Sequence, residues 1–337
     1  MRVAVVLFNL GGPDSLASVE PFLRNLFSDP AVIGLPTPFR QIAAALAAKR
    51  RAPVAREIYA KLGGASPIVA ETIKQGEALD AVLISRGLDA RSFVAMRCWH
   101  PFIAEAMLHA GAWSPDRIVL LPLYPQYSMT TAGSSLAEWD RLAGKLLPGV
   151  SECRICCFPQ QRGFIDALAQ LIQKTLTRRK SGVDYRLLLS AHGLPERTIA
   201  TGDPYRWQVG ATAKALVEEL GVIGLDWKLT FQSRVGPLKW IGPATDAEIV
   251  CAGREGRGVI VAPIAFVSEH SETLVELDLE YAKLAKENAV PDYLRVPTVG
   301  THPAFIGGLA DLVVDALEGR RANRCCPDSI SRCYRKN

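Results

Sequence analysis

Short, nearly continuous apolar runs alternate along the chain with longer stretches in which apolar residues recur every three or four positions. Continuous apolar runs are typical of parallel strands buried on both faces, and the longer pattern is typical of amphipathic helices. The predicted strands are 2–8, 92–97, 117–122, 152–158, 185–190, 228–232 and 258–266. The predicted helices include 134–147, 162–178, 207–220, 269–286 and 303–319. This alternation predicts an α/β fold with parallel sheets flanked by helices.

The strands fall into an early group of three and a later group of four, which predicts two α/β lobes in a chain of 337 residues. We place the N-terminal lobe at 1–150, the C-terminal lobe at 151–315 and a Cys-rich extension at 316–337. A stretch rich in Ala, Pro and basic residues, within about 30–66, interrupts the first lobe. It is either a lip over a ligand site or an ordinary surface helix with a basic end.

Hydrophobic residues make up 49% of the chain and charged residues 22%, as in a globular protein with a large core. The net charge of +5 is too small and too scattered to predict nucleic-acid binding. The opening MRVAVVLFNLGGPDS reads as a strand and a turn rather than a signal peptide. No apolar run reaches the roughly 18 residues of a membrane span. We therefore expect a cytoplasmic protein, and contact with a membrane surface stays open.

Candidate functional residues follow the predicted strands, because ligands of open parallel sheets bind beyond the carboxyl ends of the strands. His192 comes soon after an apolar strand and is followed by Gly193, which would leave backbone room beside it. A histidine can accept a proton or bind a metal near neutral pH, although many single histidines are structural. The Gly-Gly-Pro sequence at 11–13 lacks the spacing of a phosphate-binding loop, and we interpret it as a tight turn.

An acidic segment, FVSEHSETLVELDLEY at 266–281, includes the end of the last predicted strand. Its glutamates are spaced by three, four and four residues, and they are Glu269, Glu272, Glu276 and Glu280. This spacing places all four carboxylates on one face of a helix, with Ser268 as the predicted N-cap. The apolar stripe of the same helix is Leu274, Leu277, Tyr281 and Leu284. The acidic face is therefore either solvated or a binding surface for a cation.

Eight cysteines in a chain expected to lie in a reducing compartment argue against a disulfide framework. Six of them form two groups, which are Cys153, Cys156 and Cys157 in mid-chain and Cys325, Cys326 and Cys333 in the tail. Buried thiols, metal ligation and redox chemistry are all open for these groups.

Several segments, in order along nearly the whole chain, resemble the hallmark segments of the ferrochelatase family. They are FNLGGPDS (8–15), AKRRAP (48–53), YAKLGGASPI (59–68), YPQYSMTTAGSSL (124–136), SAHGLP (190–195), FQSRVGPLKWIGP (231–243) and FVSEHSETLVELDLEY (266–281). The resemblance implies two Rossmann-like lobes with a porphyrin cleft between them. It also implies an enzyme, a lyase that inserts Fe²⁺ into protoporphyrin IX to form protohaem in the terminal step of haem biosynthesis.

The same resemblance implies roles for individual residues, motif by motif. His192 is the expected catalytic histidine and Glu272 its acidic partner, and both are expected to meet the metal together with Glu269 and Glu276. Whether His192 takes the pyrrole protons or receives the iron is left open. The expected substrate-binding residues are Leu10, Arg50, Arg51, Tyr59, Ser66, Tyr127, Trp240 and Phe266. For the two arginines, a solvated helix end is the alternative.

Some ferrochelatases carry a [2Fe–2S] cluster on three C-terminal cysteines and one internal cysteine. By resemblance the tail ligands are Cys325, Cys326 and Cys333, and the fourth ligand is Cys157, with Cys153 and Cys156 as alternatives. The tail spacing departs from the animal-type pattern, whose internal cysteine falls roughly where this chain has Ala167, so the ligand set is open. Free thiols and a zinc site are the alternatives to a cluster.

Three further functions stay open beside protoporphyrin ferrochelatase. They are a coproporphyrin ferrochelatase, a non-catalytic porphyrin or haem carrier on the same fold, and an iron–sulfur redox sensor. The expected partners are protoporphyrin IX and ferrous iron, without nucleic acid. The expected place is the cytoplasm, with a peripheral contact at the inner membrane as a hypothesis, and the number of subunits is not predicted.

Overall fold

A computed structural model describes residues 1–234, 238–320 and 326. The described chain forms two compact units, each with a four-stranded parallel sheet. The first unit contains Met1–Cys157 and the chain from Leu309 onward in the last helix, and the second contains Phe158–Gly308 and Cys326. The predicted α/β fold with two parallel-sheet lobes is confirmed.

The strands of the first unit are β1 (Arg2–Asn9), β2 (Asp89–Met96), β3 (Arg117–Pro122) and β4 (Ser151–Arg154), and the sheet order is β2-β1-β3-β4. Its helices are α1 (Val19–Ser28), α2 (Thr37–Ala60), α3 (Ile68–Ser85), α4 (Ile103–Ala112) and α5 (Ala132–Leu146). The side chains of β1 and β3 are buried along almost their whole length. Strands buried on both faces need helices on both sides of the sheet, which explains the continuous apolar runs in the sequence.

The strands of the second unit are β5 (Tyr185–His192), β6 (Trp227–Gln232), β7 (Gly258–Pro263) and β8 (Tyr293–Arg295), in the sheet order β6-β5-β7-β8. Its α-helices are α6 (Arg162–Leu176), α7 (Glu196–Ala200), α8 (Tyr205–Leu220), α9 (Thr245–Arg254) and α10 (Ala282–Glu287), and it includes the start of α11 (Pro303–Leu317). A π-helix, Glu272–Tyr281, precedes α10. Such helices are rare and occur frequently at functional sites.

The winding of the second sheet creates one position where a ligand is expected. From β5 the chain runs first to β6 on one side and then to β7 on the other side, so the winding reverses between β5 and β7. The loops beyond the carboxyl ends of these two strands therefore diverge and leave a crevice. His192 ends β5 at this crevice, and the segment that leads to the π-helix starts from the end of β7.

Two predicted strands are longer than the strands in the structure. Of the predicted strand 152–158, only the part that belongs to β4 pairs with a neighbouring strand, because the neighbour β3 ends at Pro122. The prediction 258–266 ends as β7 at Pro263. Proline has no N–H to continue the ladder, so each sheet stops close to its proline.

The stretch that the sequence predicts as a lip or a surface helix folds as α2. Three apolar side chains on this helix are exposed by 66%, 61% and 67%, and they are Phe39, Ile42 and Leu46. Among the residues that the structure describes, no helix is both long and apolar enough to cross a membrane.

Candidate active site

The side chain of His192 meets an acidic partner from the segment that follows β7. Its Nδ1 atom lies 2.8 Å from Oε2 of Glu272, the first residue of the π-helix. The two residues are 80 positions apart in the sequence, and the pairing of β5 with β7 brings their segments together. The structure thus places the two residues expected to be catalytic in direct contact.

This contact shifts the pKa values of the two side chains in opposite directions. Burial lowers the pKa of His192, but the Glu272 carboxylate outweighs burial and the pKa is raised overall. Burial raises the pKa of Glu272, but the charge and the hydrogen bond of His192 outweigh it and lower this pKa to about 2. Near neutral pH Glu272 is therefore ionised, and His192 holds a proton more readily than a free histidine does.

Two consecutive residues at the end of β6 hold the carboxylates in place. Gln232 Nε2 donates to the Glu272 carbonyl oxygen at 3.1 Å and to Glu276 Oε2 at 3.2 Å. The backbone N–H of Ser233 donates to Glu276 Oε1 at 2.8 Å. The Ser233 hydroxyl lies 2.5 Å from Glu276 Oε2 and 3.2 Å from Glu272 Oε2. Ser233 makes these contacts with φ at 60°, in the left-handed region that non-glycine residues seldom adopt.

A row of buried hydroxyls fixes the orientation of the Gln232 amide. The Ser190 hydroxyl donates to Gln232 Oε1 at 2.8 Å and lies 2.9 Å from the hydroxyl of Thr245. Thr245 in turn donates to Thr230 at 2.9 Å, and all four side chains are fully buried. Because Ser190 occupies the amide oxygen of Gln232, the amide nitrogen must face the two glutamates.

Glu276 differs from Glu272 although Ser233 contacts both. Burial and the negative charge of Glu272 raise the pKa of Glu276, against hydrogen bonds that lower it from Ser233 and Tyr281. Tyr281 donates its hydroxyl to Glu276 Oε1 at 2.9 Å. Neighbouring carboxylates with opposite pKa shifts are typical of sites that handle both charge and protons.

The four glutamates of the acidic segment do not form one continuous face. The π-helix begins at Glu272, so Glu269 lies before the helix, and the predicted N-cap at Ser268 is wrong. Glu269 Oε1 accepts a hydrogen bond of 2.6 Å from Arg295, while Glu280 at the other end is exposed. The prediction of one face assumed α-helical periodicity, whereas the hydrogen bonds of this helix span five residues.

The apolar face of this helix differs from its prediction for the same reason. Its buried residues are Thr273, Val275, Leu277 and Tyr281. The predicted stripe shares Leu277 and Tyr281 with this set, but it also contained Leu274, which is only half-buried, and Leu284, which lies beyond the π-helix in α10.

Phe266 and His270 lie on the segment between β7 and the π-helix. Their rings meet edge to face, with centroids 4.6 Å apart. His270 Nδ1 donates to the Ser268 carbonyl at 3.1 Å, and His270 Nε2 lies 3.9 Å from Glu272 Oε2. The substrate-binding candidate Phe266 is therefore packed against a ring that borders the His192–Glu272 pair.

Gly193 allows two neighbouring segments to approach the end of β5. A Cβ atom at this position would lie 3.0 Å from the Gln232 carbonyl oxygen and 3.4 Å from Cε3 of Trp240. Backbone hydrogen bonds hold both segments, from Gly193 to Gln232 at 2.9 Å and from Ile241 to Leu194 at 3.0 Å. The missing side chain thus makes room for β6 and for the candidate Trp240.

The remaining substrate-binding candidates lie in the first unit. Leu10 packs with the buried ring of Tyr59 in one apolar cluster. Ser66 donates its backbone N–H to the carbonyl of Pro13 at 2.8 Å, which places it beside the Gly-Gly-Pro sequence at 11–13. Tyr127 is buried beyond the end of β3. The exposed candidates are Arg50 and Arg51, both on α2.

Two of the four expected cluster ligands belong to the described residues. Cys157 is buried in the first unit, with its sulfur 3.4 Å from that of Cys156. Cys326 is buried in the second unit, and Gln208 Nε2 donates to its sulfur at 3.0 Å. The other two ligands, Cys325 and Cys333, lie outside the described residues. Within 1–234, 238–320 and 326, no group of three or more His, Cys, Asp or Glu side chains is arranged to hold a metal ion.

Three residues that organise this site were not singled out by the sequence analysis. Gln232 and Ser233 stand at the carboxyl end of β6, so the rule that selected His192 would have found them as well. Arg295 ends β8, whose three residues are too few to produce a recognisable hydrophobic pattern.

Comparisons with known proteins agree on one family. The sequence pattern of the ferrochelatase family matches residues 2–317. A ferrochelatase of Phenylobacterium zucineum is 51% identical over 343 residues, covering 100% of this chain and 99% of the relative. A ferrochelatase of Pelagibacter ubique is 45% identical over 341 residues, covering 99% of this chain and 98% of the relative.

A solved structure shares the fold at much lower sequence identity. It is the sirohydrochlorin chelatase SirB from Bacillus subtilis subspecies spizizenii in complex with cobalt. The TM-score is 0.56 at 11% identity, with 95% of this chain and 97% of the other chain covered. At this identity the likeness shows a common α/β fold alone, and the family assignment rests on the sequence matches. The chain therefore belongs to the ferrochelatase family, the lyases that chelate iron in the terminal step of haem biosynthesis.

Proposed function

We propose that the site at the carboxyl ends of β5 and β7 inserts Fe²⁺ into protoporphyrin IX, with His192 and Glu272 as its catalytic residues. The observation that carries this proposal is the 2.8 Å contact between these side chains at the switch point of the second sheet. Insertion exchanges two pyrrole N–H protons of the macrocycle for one Fe²⁺ ion. The site must therefore accept protons and receive a cation, and a histidine–glutamate pair offers groups for both tasks.

In this proposal His192 is the proton acceptor. An ionised carboxylate only accepts hydrogen bonds, so Nδ1 of His192 carries the hydrogen in its contact with Glu272. The neutral ring then has its lone pair on Nε2, and this nitrogen takes a pyrrole proton. The negative charge of Glu272 stabilises the imidazolium that forms, and His192 releases the first proton before it takes the second.

The iron meets carboxylate oxygens of Glu272 and Glu276, which Gln232 and Ser233 hold side by side. Divalent cations prefer such oxygen ligands. Glu269 contributes less in this proposal, because its Oε1 is already paired with the Arg295 guanidinium. The proposed porphyrin contacts are those implied by the resemblance, namely Leu10, Arg50, Arg51, Tyr59, Ser66, Tyr127, Trp240 and Phe266.

The function is tested by mixing the purified protein anaerobically with protoporphyrin IX and Fe²⁺, or with Zn²⁺ as a stable substitute, and following metalloporphyrin absorbance. We expect turnover by the wild type and a large loss in Glu272→Gln, while fluorescence titration shows that the porphyrin still binds. Binding of porphyrin by the wild type without metal insertion would identify a carrier instead. A parallel reaction with coproporphyrin decides the substrate, and faster insertion into coproporphyrin would contradict the proposed one.

We propose further that a [2Fe–2S] cluster is held by Cys157, Cys325, Cys326 and Cys333. Support comes from the burial of the Cys326 thiol and from the Gln208 amide that donates to its sulfur, since cluster potentials depend on such hydrogen bonds. A cluster of this type supplies an anionic, redox-active centre. Iron and acid-labile sulfide should be found in protein purified without oxygen and be lost in Cys326→Ser. A colourless wild type without sulfide would rule the cluster out.

We also propose that α2 touches the surface of a membrane. Its exposed residues Phe39, Ile42 and Leu46 share one face by their spacing, and Lys49 and Arg50 follow them. Apolar residues combined with basic ones are typical of helices that lie in a lipid interface. Flotation with anionic vesicles should carry the wild type upward and leave a variant with serine at all three apolar positions behind. Equal flotation of the two proteins would exclude α2 as the contact.

The division of the chain into 1–150, 151–315 and 316–337, with a lip at about 30–66, is retained as a proposal about independent folding regions. Limited proteolysis tests it. Early cleavage just beyond the end of α11 at Leu317, which leaves both lobes intact, is expected, because boundaries between domains are exposed linkers. Cleavage that starts inside either sheet would contradict these boundaries.

A further inference from the structure

Arg295 binds two carboxylates from different parts of the acidic segment. Its NH1 group donates to Glu269 Oε1 at 2.6 Å. Its Nε and NH2 groups donate to the two carboxylate oxygens of Asp278 at 2.7 and 2.5 Å, which is the bidentate arrangement that only arginine offers. Only 13% of the Arg295 side chain is exposed, so the guanidinium is largely shielded from water.

The two carboxylates bracket the proposed catalytic segment. Glu269 lies before the π-helix, and Asp278 lies within it. Glu272 and Glu276 fall between these two anchor points. A further bond, from the Thr298 backbone N–H to Glu269 Oε1 at 2.9 Å, fixes the same anchor from the chain that follows β8.

The contacts also change which carboxylates can meet a cation. Oε1 of Glu269 already accepts hydrogen bonds from the Arg295 guanidinium and from the Thr298 backbone N–H. Asp278 is paired with the same guanidinium. Of the acidic side chains in this segment, Glu272 and Glu276 are the ones grouped with His192, Gln232 and Ser233.

We propose that Arg295 is a positioning residue for metal insertion, which anchors the segment that carries Glu272 and Glu276 and withdraws Glu269 and Asp278 from competition for the cation. This inference rests on the proposed roles of Glu272 and Glu276. The anchoring determines where the carboxylates stand and therefore kcat. The pairing of Glu269 and Asp278 with Arg295 determines how tightly the protein itself retains a divalent ion. It therefore determines the apparent KM for the metal.

The matched control is Arg186 at the opposite, amino end of the same sheet. Its guanidinium also bridges two carboxylates, with 2.9 Å from Nε to Asp226 and 2.8 Å from NH2 to Glu255. Its side chain is 8% exposed. Arg186→Gln therefore breaks an equally buried pair of contacts and does so away from His192.

The test measures Zn²⁺ insertion into protoporphyrin and, separately, equilibrium Zn²⁺ binding to the protein without porphyrin. In Arg295→Gln we expect kcat to fall by about 10–100-fold, as for other residues that support metal ligands. We expect the apparent KM for Zn²⁺ to fall as well, and Zn²⁺ to bind more tightly without porphyrin, because two carboxylates are released. Arg186→Gln should leave all three quantities at their wild-type values.

Two further variants separate charge from anchoring. The triple variant Arg295→Gln, Glu269→Gln, Asp278→Asn removes the guanidinium together with both of its carboxylates. It should abolish the gain in Zn²⁺ affinity but keep a low kcat, since no anchor remains. Arg295→Lys keeps the charge with fewer donors and should retain the wild-type affinity with an intermediate kcat, even if Arg295→Gln does not fold.

Equal effects of Arg295→Gln and Arg186→Gln would show a merely structural role and overturn the inference. Unchanged Zn²⁺ affinity in a folded Arg295→Gln protein would overturn it too. A wild type without turnover would count against the proposed function instead, and the Zn²⁺ affinities would still decide the role of Arg295.

Discussion

The two sheets of this protein are built alike, yet equivalent strand ends carry different chemistry. β1 and β5 each have eight residues, and β3 and β7 each have six and end in proline. Phe8 pairs with Pro122 in the first sheet, and Ser190 pairs with Pro263 in the second. Two residues beyond these pairs stand Leu10 and His192, which are therefore equivalent positions.

Leu10 and His192 differ in the residues that surround them. Leu10 packs into an apolar cluster with Tyr59 and Trp99. His192 contacts an ionised glutamate. The same topology thus provides a crevice in each unit, and the side chains beyond the strands decide whether the crevice holds an apolar surface or a titratable pair.

Alanine substitutions at the two equivalent positions should differ most in their effect on the rate of metal insertion. His192→Ala removes the proposed proton acceptor, and we expect the rate of metal insertion to fall by about 10²–10⁴-fold, the usual contribution of a general base. Leu10→Ala removes apolar contact only, so its main effect should be on the KM for porphyrin. Steady-state kinetics with Zn²⁺ and protoporphyrin measure both variants.

Fluorescence titration with porphyrin serves as the control, because His192→Ala should still bind the macrocycle. Equal losses of kcat in the two variants would remove the chemical distinction between the sheets. A His192→Ala protein that inserts metal at the wild-type rate but needs much more Zn²⁺ would identify His192 as the receiver of the ion rather than of the protons.

The next largest effect concerns the stability of the first unit. Phe8 is fully buried and meets Trp139 edge to face, with ring centroids 5.7 Å apart. Phe8→Ala leaves a cavity in the sheet, and we expect the free energy of unfolding to fall by about 3–5 kcal/mol. Urea denaturation measures this loss. A loss below about 1 kcal/mol would show that the core can collapse around the missing ring, contrary to its tight packing.

Much of this fold could be predicted because buried parallel strands leave a continuous apolar signal. The predicted strands at 2–8, 117–122 and 228–232 agree with β1, β3 and β6 to within a residue at each end. The short strand β8 and the π-helix could not be predicted. Three residues produce no period, and the π-helix follows from hydrogen bonds that depend on its neighbours, such as the 2.7 Å bond from Tyr293 to the Leu277 carbonyl.

The candidate site was predictable in its position and only partly in its electrostatics. A strand-end rule and a family resemblance placed His192 and Glu272 together, because both depend on topology. The partner of Glu269 could not be predicted, since Arg295 reaches it from another strand across 26 residues of sequence. A row of like charges in a sequence therefore does not reveal which members a distant cation neutralises.

Ser190 offers a further comparison between the two sheets. It is equivalent in position to Phe8 of the first sheet, and it carries a hydroxyl instead of an aromatic ring. Ser190→Ala leaves the oxygen of the Gln232 amide without its donor, and we expect a loss of about 1–3 kcal/mol in the free energy of unfolding. The amide can then rotate away from the glutamates, so the rate of metal insertion should fall by about tenfold.

Thr245→Val is the matched control for this variant. It removes the neighbouring hydroxyl and leaves the contact between Ser190 and Gln232 in place. We expect a comparable loss of stability without a loss of rate. If both variants lower the rate equally, the hydroxyls act through packing and not through the orientation of Gln232.

The smallest expected effect is the pH dependence of the His192–Glu272 pair. The pKa of His192 is raised above the usual 6.5, so its stabilising contribution is complete below that pH and is lost as the pH rises through the folded value. The pKa of Glu272 is lowered from 4.5 to about 2, so its contribution is complete above 4.5 and is lost on acidification. The pair is therefore fully stabilising between about pH 4.5 and 6.5.

A double-mutant cycle with His192→Gln and Glu272→Gln, measured by urea unfolding, isolates this contribution. Both side chains are about a third exposed, at 36% and 28%, so the coupling at pH 5.5 should be at most about 1 kcal/mol. It should weaken as the pH rises through the raised pKa of His192, because the neutral ring keeps only its hydrogen bond to the carboxylate. The matching cycle in the first unit uses the buried 3.1 Å bond from Asn9 to Thr72, whose groups do not titrate. The coupling between Asn9 and Thr72 should stay constant over the same pH range. A histidine–glutamate coupling that is equally constant would show that the pair is held by a hydrogen bond that does not depend on the protonation of His192.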